Sequence, residues 1–194
     1  SIDSSPLLAV PMFILAAGLL TATGVTRHMF DLVRMVVGRL RGGMAHVNVL
    51  LSLVFAGMSR AALADIGAMG AMQVREMVAQ GYSRRFAAGL SIAAATIGPI
   101  FPPSIPLIIF ATAAEVSAVK LLLAGILPAF IITAMLMAYI ALIARRQNLP
   151  RDDVSPTFPA FVKLSVISFP ALLTPVLLIG GLLSGMVGPT EAAG

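Results

Sequence analysis

The sequence predicts a polytopic, all-α membrane protein, and three observations carry that prediction. Hydrophobic residues make up 59% of the 194-residue chain against 11% charged, and the mean hydropathy is +1.00, well above what a water-facing surface tolerates. Apolar residues come in long runs, without the period-two alternation of a transmembrane barrel. The arginines cluster in short segments between those runs, as cytoplasmic loops of membrane proteins do. The net charge of +5 therefore marks topology and does not form one basic face for nucleic acid.

Four units follow in chain order. In residues 1–43, the apolar run Pro6 to Val25 has about the 20 residues needed to cross a bilayer. Arg27, His28, Arg34, Arg39 and Arg41 come next, with Met29, Phe30, Leu32 and Val33 among them. That mixture predicts a helix lying in the cytoplasmic interface with its arginines snorkelling outward.

Residues 44–80 lie between this basic cluster and the next, Arg75, Arg84 and Arg85. If both clusters are cytoplasmic, the intervening chain crosses twice or not at all, and two crossings need about 40 apolar residues, more than are present. A re-entrant helical hairpin resolves the conflict: one arm from Met44 to about Ala56, a tip at Gly57-Met58-Ser59-Arg60, and a second arm from Ala61 to about Ala79. Non-helical backbone at that depth is tolerated only beside protein or a water-filled cavity, so the tip marks an internal site.

In residues 81–146, the stretch Phe86 to Ala114 carries Gly98, Pro99, Pro102, Pro103 and Pro106 at its centre. It reads as a Pro-broken helix with halves Phe86 to Gly98 and Ser104 to Ala114. Proline lacks the N–H that would bond the carbonyl four residues back. The carbonyls of Ala95, Gly98, Pro99 and Pro102 are therefore expected to be free to face a cation. Ser104 is placed to cap the second half, whose N-terminal N–H groups and dipole favour an anion. Carbonyls for a cation and a helix N-terminus for an anion near the midplane are the pattern of ion-coupled secondary transporters. The run Val116 to Ala144 then returns to Arg145 and Arg146, with Pro128 inside it as a candidate kink.

Residues 147–194 comprise a polar loop, Gln147 to Thr157, and a last apolar run from about Leu164 to Val187 with Pro170 and Pro175. With no signal-like leader before the first run and an end directly after the last, both termini read as cut, and the chain is expected to be a fragment of a longer protein.

Several stretches, in this order, resemble one family. They are "PMFILAAGLL" (Pro11 to Leu20), "GGMAHVNVLLSLVFAGMS" (Gly42 to Ser59), "ALAD" (Ala62 to Asp65), "TIGPIFPPSIPLIIF" (Thr96 to Phe110), "LLAGILPA" (Leu122 to Ala129) and "GPTEAA" (Gly188 to Ala193). The chain resembles the first half of the large membrane subunit of tripartite ATP-independent periplasmic (TRAP) transporters, the DctM-like family. The resemblance implies one of two inverted repeats of an elevator-type carrier in the bacterial inner membrane. It also implies sodium as coupling ion, no other cofactor, a small membrane subunit, and a periplasmic binding protein that delivers an organic acid such as a C4-dicarboxylate.

One departure matters. The family's hairpin tip resembles Ser-Gly-Ser, whereas Ser59-Arg60-Ala61 stands here. Arginine at the bilayer centre costs about 2.5 kcal/mol or more unless it meets water or an anion, so Arg60 either pairs with the substrate carboxylate or replaces a sodium ion.

The candidate ion ligands are Ser59, Ala95, Gly98, Pro99 and Pro102. The candidate substrate contacts are Arg60, Ala61, Pro103 and Ser104. Asn48 reads as an interhelical hydrogen-bonding residue, and Asp65 as either a hairpin brace or a neighbour of the ion path.

Other classes fit less well. The chain has no cysteine and only two histidines, His28 and His46, which excludes thiol chemistry and a histidine metal site. An intramembrane enzyme would have only Asp65 with Arg60 to work with. A channel lined by half-helices, another elevator-type anion transporter, and a non-transporting scaffold or remnant are the remaining alternatives.

Overall fold

The structure, a computed structural model, describes residues 25–56, 70–102, 104–146, 149–151 and 161–169, with 173 and 180. Six helices run in order: α1 (Val25–Val37), α2 (Gly43–Ala56), α3 (Ala71–Ala79), α4 (Arg84–Ala95), α5 (Ile105–Ala113) and α6 (Ala118–Arg146). Residues 161–169 are also helical, and no strand occurs among the described residues.

α2 is the centre of the fold. Nearly every side chain in its first two turns is buried, from Gly43 through Val49, followed by Leu51, Phe55 and Ala56. A helix apolar all round needs neighbours on every side, and α2 packs against α1, α3, α4 and α6. Its entry depends on Gly42, which has φ +75°, a conformation that side chains resist. A Cβ at Gly42 would also press on Ala144 and Ile140 of α6.

α1 turns part of its apolar face to protein. Met29 and Phe30 are 1% and 3% exposed, and the helix packs on α2.

α3 ends in a left-handed turn at Gly81, φ +93°. The Tyr82 N–H reaches back to the Met77 carbonyl at 3.0 Å, the bond of a Schellman C-cap. This turns Tyr82 inward to stack on Phe86. Ser83 then caps α4 by accepting from the Phe86 N–H at 3.3 Å.

Among the described residues, α6 is the one helix long and apolar enough to cross a membrane. It continues through Pro128. One stripe, Leu122, Gly125, Ala129, Thr133, Ile140 and Ala144, is buried. The outward face carries Leu127, Phe130, Met135, Tyr139 and Leu142, each at least half exposed. An exposed apolar face of this length suits lipid.

The basic segments meet at one end. The carbonyl of Pro150 accepts from the Gly42 N–H at 3.2 Å and from the Tyr82 hydroxyl at 3.5 Å. Both ends of segment 44–80 are thereby held together, near the pocket that Arg41 shares with Arg145 of α6.

Candidate functional site

The site with most of the expected residues is the connection between α4 and α5, residues 96–104. Both helices are short. At 1.5 Å per residue they reach roughly 18 Å and 14 Å, less than the ~30 Å hydrocarbon core. α4 packs on α2 and α3, whereas α5 packs on α6, so the non-helical connection passes from one group of helices to the other.

The connection is pinned by close contacts. Ile97 and Phe101 are buried at 0% and 6% exposure, and Pro102 is among the fully buried side chains. Phe101 meets Phe130 of α6 edge-on at 6.1 Å between ring centroids, a favoured aromatic geometry. Gly125 of α6 lies against the Ile100 carbonyl so closely that a Cβ there would overlap the oxygen.

The carbonyls are not all free. The Ala95 carbonyl accepts from the Gly98 N–H at 3.2 Å, and the Pro99 carbonyl accepts from the Ser104 hydroxyl. Those of Gly98 and Pro102 receive no hydrogen bond among the described residues. The expectation of four free carbonyls counted only the donor four residues on, and the donor three residues on was still available at Gly98. A carbonyl oxygen has two lone pairs, so Ala95 and Pro99 retain one each.

Ser104 caps α5 as expected, accepting from the Leu107 N–H at 3.2 Å. It is 1% exposed, and its hydroxyl proton is engaged by Pro99. This corrects the picture of several unpaired N–H groups at the α5 terminus. Pro106 has no donor, Leu107 is capped, and Ile108 bonds the Ser104 carbonyl, which leaves Ile105 as the N–H of the first turn without a partner among the described residues. Ser104 acts first as a clasp that closes the loop.

Asn48 lies one helix away, 1% exposed. Its Nδ2 donates to Ser91 Oγ at 2.6 Å and approaches Met77 Sδ at 3.5 Å, so one amide ties α2 to α3 and α4. Ser91 sits one turn before Ala95, which anchors α4 just ahead of the connection. Asn48 Oδ1 is buried with no partner among the described residues.

The structure thus brings together Ala95, Gly98, Pro99, Pro102 and Ser104, with Asn48 behind them. Ser59, Arg60, Ala61, Asp65 and Pro103 lie outside the described residues. Sequence reasoning missed Ser91 and Gly125, whose roles depend on partners 43 and 25 residues away in the chain. His46 is 4% exposed with Nδ1 3.0 Å from the Gly42 carbonyl.

Over residues 1–194 the chain matches the family model described as the tripartite ATP-independent periplasmic transporter, DctM component. It belongs to this family. The DctM component is part of a transporter, not an enzyme. Similar proteins include the sialic acid TRAP transporter permease protein SiaT of Haemophilus influenzae, 42% identical over 193 residues that cover 100% of this chain and 31% of that protein. The large permease protein SiaM of Vibrio cholerae, also for sialic acid, is 38% identical over 99% of this chain and 45% of its own length. The C4-dicarboxylate large permease protein DctM of Pseudomonas aeruginosa is 36% identical over 96% of this chain and 44% of its length. The chain therefore spans less than half of each of these DctM-type permeases.

Proposed function

We propose that this chain forms one repeat of the membrane-embedded pathway of a TRAP transporter, which imports an organic acid by sodium-coupled, elevator-type movement. The observation that carries the reading is the non-helical connection 96–104 between two helices too short to cross. Open carbonyls at Gly98 and Pro102 lie within it. Irregular backbone with open carbonyls inside a membrane fold suits cation coordination.

The ends of segment 44–80, held together at Pro150, support a re-entrant hairpin whose tip, Ser59 to Ala61, meets this connection from the opposite arm. The proposed ligands of the ion are Ser59 and the carbonyls of Ala95, Gly98, Pro99 and Pro102. The organic acid would sit against Arg60, Ala61, Pro103 and Ser104, with its carboxylate paired to Arg60. Relatives named for sialic acid and for C4-dicarboxylates favour a carboxylate-bearing solute in the bacterial inner membrane. A small membrane subunit and a periplasmic binding protein would be its partners.

The test is uptake of labelled sialic acid and C4-dicarboxylates by the complete permease with its partners in sodium-loaded and sodium-free proteoliposomes. Ser59→Ala should lower the sodium dependence, and Arg60→Gly should weaken substrate affinity. Unchanged coupling and affinity in both variants would sink the assignment, and uptake that does not saturate would indicate a channel.

A further inference from the structure

At the basic end, where α2 begins and α6 finishes, a pocket of about 600 Å³ is lined by Leu40, Arg41, His46, Ala141, Arg145 and Arg151. Its three arginines come from three segments: the turn before α2, the last turn of α6, and the chain beyond it. All three are exposed. None has an ion-pair partner among the described residues, and no acidic side chain among them lines the pocket.

Like charges gathered around one cavity repel, yet the backbone holds them there. Gly42 N–H and Tyr82 hydroxyl both bond the Pro150 carbonyl, and Leu149 N–H bonds the Ala144 carbonyl at 3.2 Å. These bonds hold residues 149 and 150 beside the start of α2 and the end of α6, which keeps the backbone of Arg151 next to Arg41 and Arg145. Guanidinium forks match the oxygens of a phosphate.

We propose that this pocket binds a phosphate group, presented by an anionic phospholipid of the surrounding leaflet. Beside it the surface is apolar: Leu40, Tyr139 and Leu142 are 49%, 51% and 65% exposed, a flank along which acyl chains can lie. Basic pockets between helices on the cytoplasmic side suit such headgroups. The pocket is separate from the connection at 96–104, since Arg145 lies roughly 30 Å along α6 from Gly125. Nothing in the transport reading is needed for it.

The test is native mass spectrometry of the complete permease in detergent, titrated with phosphatidylglycerol and, separately, with inorganic phosphate. Phosphatidylglycerol should bind, and Arg41→Gln, Arg145→Gln or Arg151→Gln should each weaken it about fivefold, the equivalent of ~1 kcal/mol per basic residue at an anionic surface. Arg85→Gln removes the same charge from the same end without touching the pocket and should leave binding unchanged. Arg145→Lys, which keeps the charge and loses the fork, should fall between wild type and Arg145→Gln, which guards against misfolding as the cause. Equal binding of inorganic phosphate with the same arginine dependence would keep the phosphate site and reassign its source. Absence of binding, or an equal loss in Arg85→Gln, would overturn the proposal.

Discussion

Two glycines in helix interiors should respond in opposite directions to the same substitution. Gly89 of α4 has nothing within 4 Å of the position a Cβ would occupy, whereas at Gly125 of α6 a Cβ would overlap the Ile100 carbonyl oxygen. Alanine is favoured over glycine in a helix by about 1 kcal/mol, so Gly89→Ala should stabilise by up to that amount. The same gain at Gly125 is opposed by an overpacking cost of about 1–3 kcal/mol. The obstacle is backbone, which cannot rotate aside as a side chain can, so the cost belongs in the upper half of that range. The net expectation for Gly125→Ala is a loss of ~1–2 kcal/mol. At roughly 2–4 °C per kcal/mol for a chain of this size, its Tm should fall by several degrees. The chain has no tryptophan, so the assay is far-UV circular dichroism during thermal unfolding in detergent. If Gly125→Ala were neutral or stabilising like Gly89→Ala, the close approach of the connection to α6 would be refuted.

Two further outcomes follow from the same geometry. Asn48→Ala should cost about 1–3 kcal/mol, because Ser91 is left unpaired in a buried setting. A cycle with Ser91→Ala should show coupling of at least about 0.5 kcal/mol, and strict additivity in thermal unfolding would dismiss the 2.6 Å bond. Ser104→Ala removes both the α5 cap and the clasp on Pro99, for a loss of about 0.5–2 kcal/mol. Ser104→Thr should recover most of it, and equal stability of the alanine variant would show that the clasp contributes nothing.

Much of this arrangement was legible from residue types alone. The extent of α2 follows from the apolar run between basic clusters, read as Met44 to about Ala56, and the Ser104 cap follows from a serine at the start of the second half-helix. Arg41 and Arg145 line one pocket, a grouping of charged segments that suits a chain to which lipid leaves few places for charge. What could not be read depends on three-dimensional distance. Asn48 identifies itself as a buried polar group, but nothing in the sequence selects Ser91 as its partner. Gly125 looks like any small residue of a membrane helix until the Ile100 carbonyl lies against it. α1 shows a different limit: the pattern of an amphipathic basic helix does not say which neighbour its apolar face takes, and Met29 and Phe30 are buried in a helix that packs on α2. The Ala95 carbonyl was misjudged for a local reason, since a proline removes one donor and leaves the tighter turn at Gly98 intact.

The Pro150 carbonyl, which accepts from both Gly42 and Tyr82, also sets an order of events during synthesis. Pro150 is made roughly 70 residues after Gln80, which at about 5–20 residues per second is a delay of about 4–14 s. Over that interval segment 44–80 is already made, but the group that joins its two ends does not yet exist. Asn48 can engage Met77 and Ser91 within that window, so the interior of the segment has a route to order before its base is fastened. The base is then fastened by residues that follow α6, the helix with the clearest capacity to cross a membrane. Completion of the basic end of the fold is therefore tied to the emergence of α6 and the turn beyond it, and a ribosome stalled before Pro150 would leave the segment unfastened at its base.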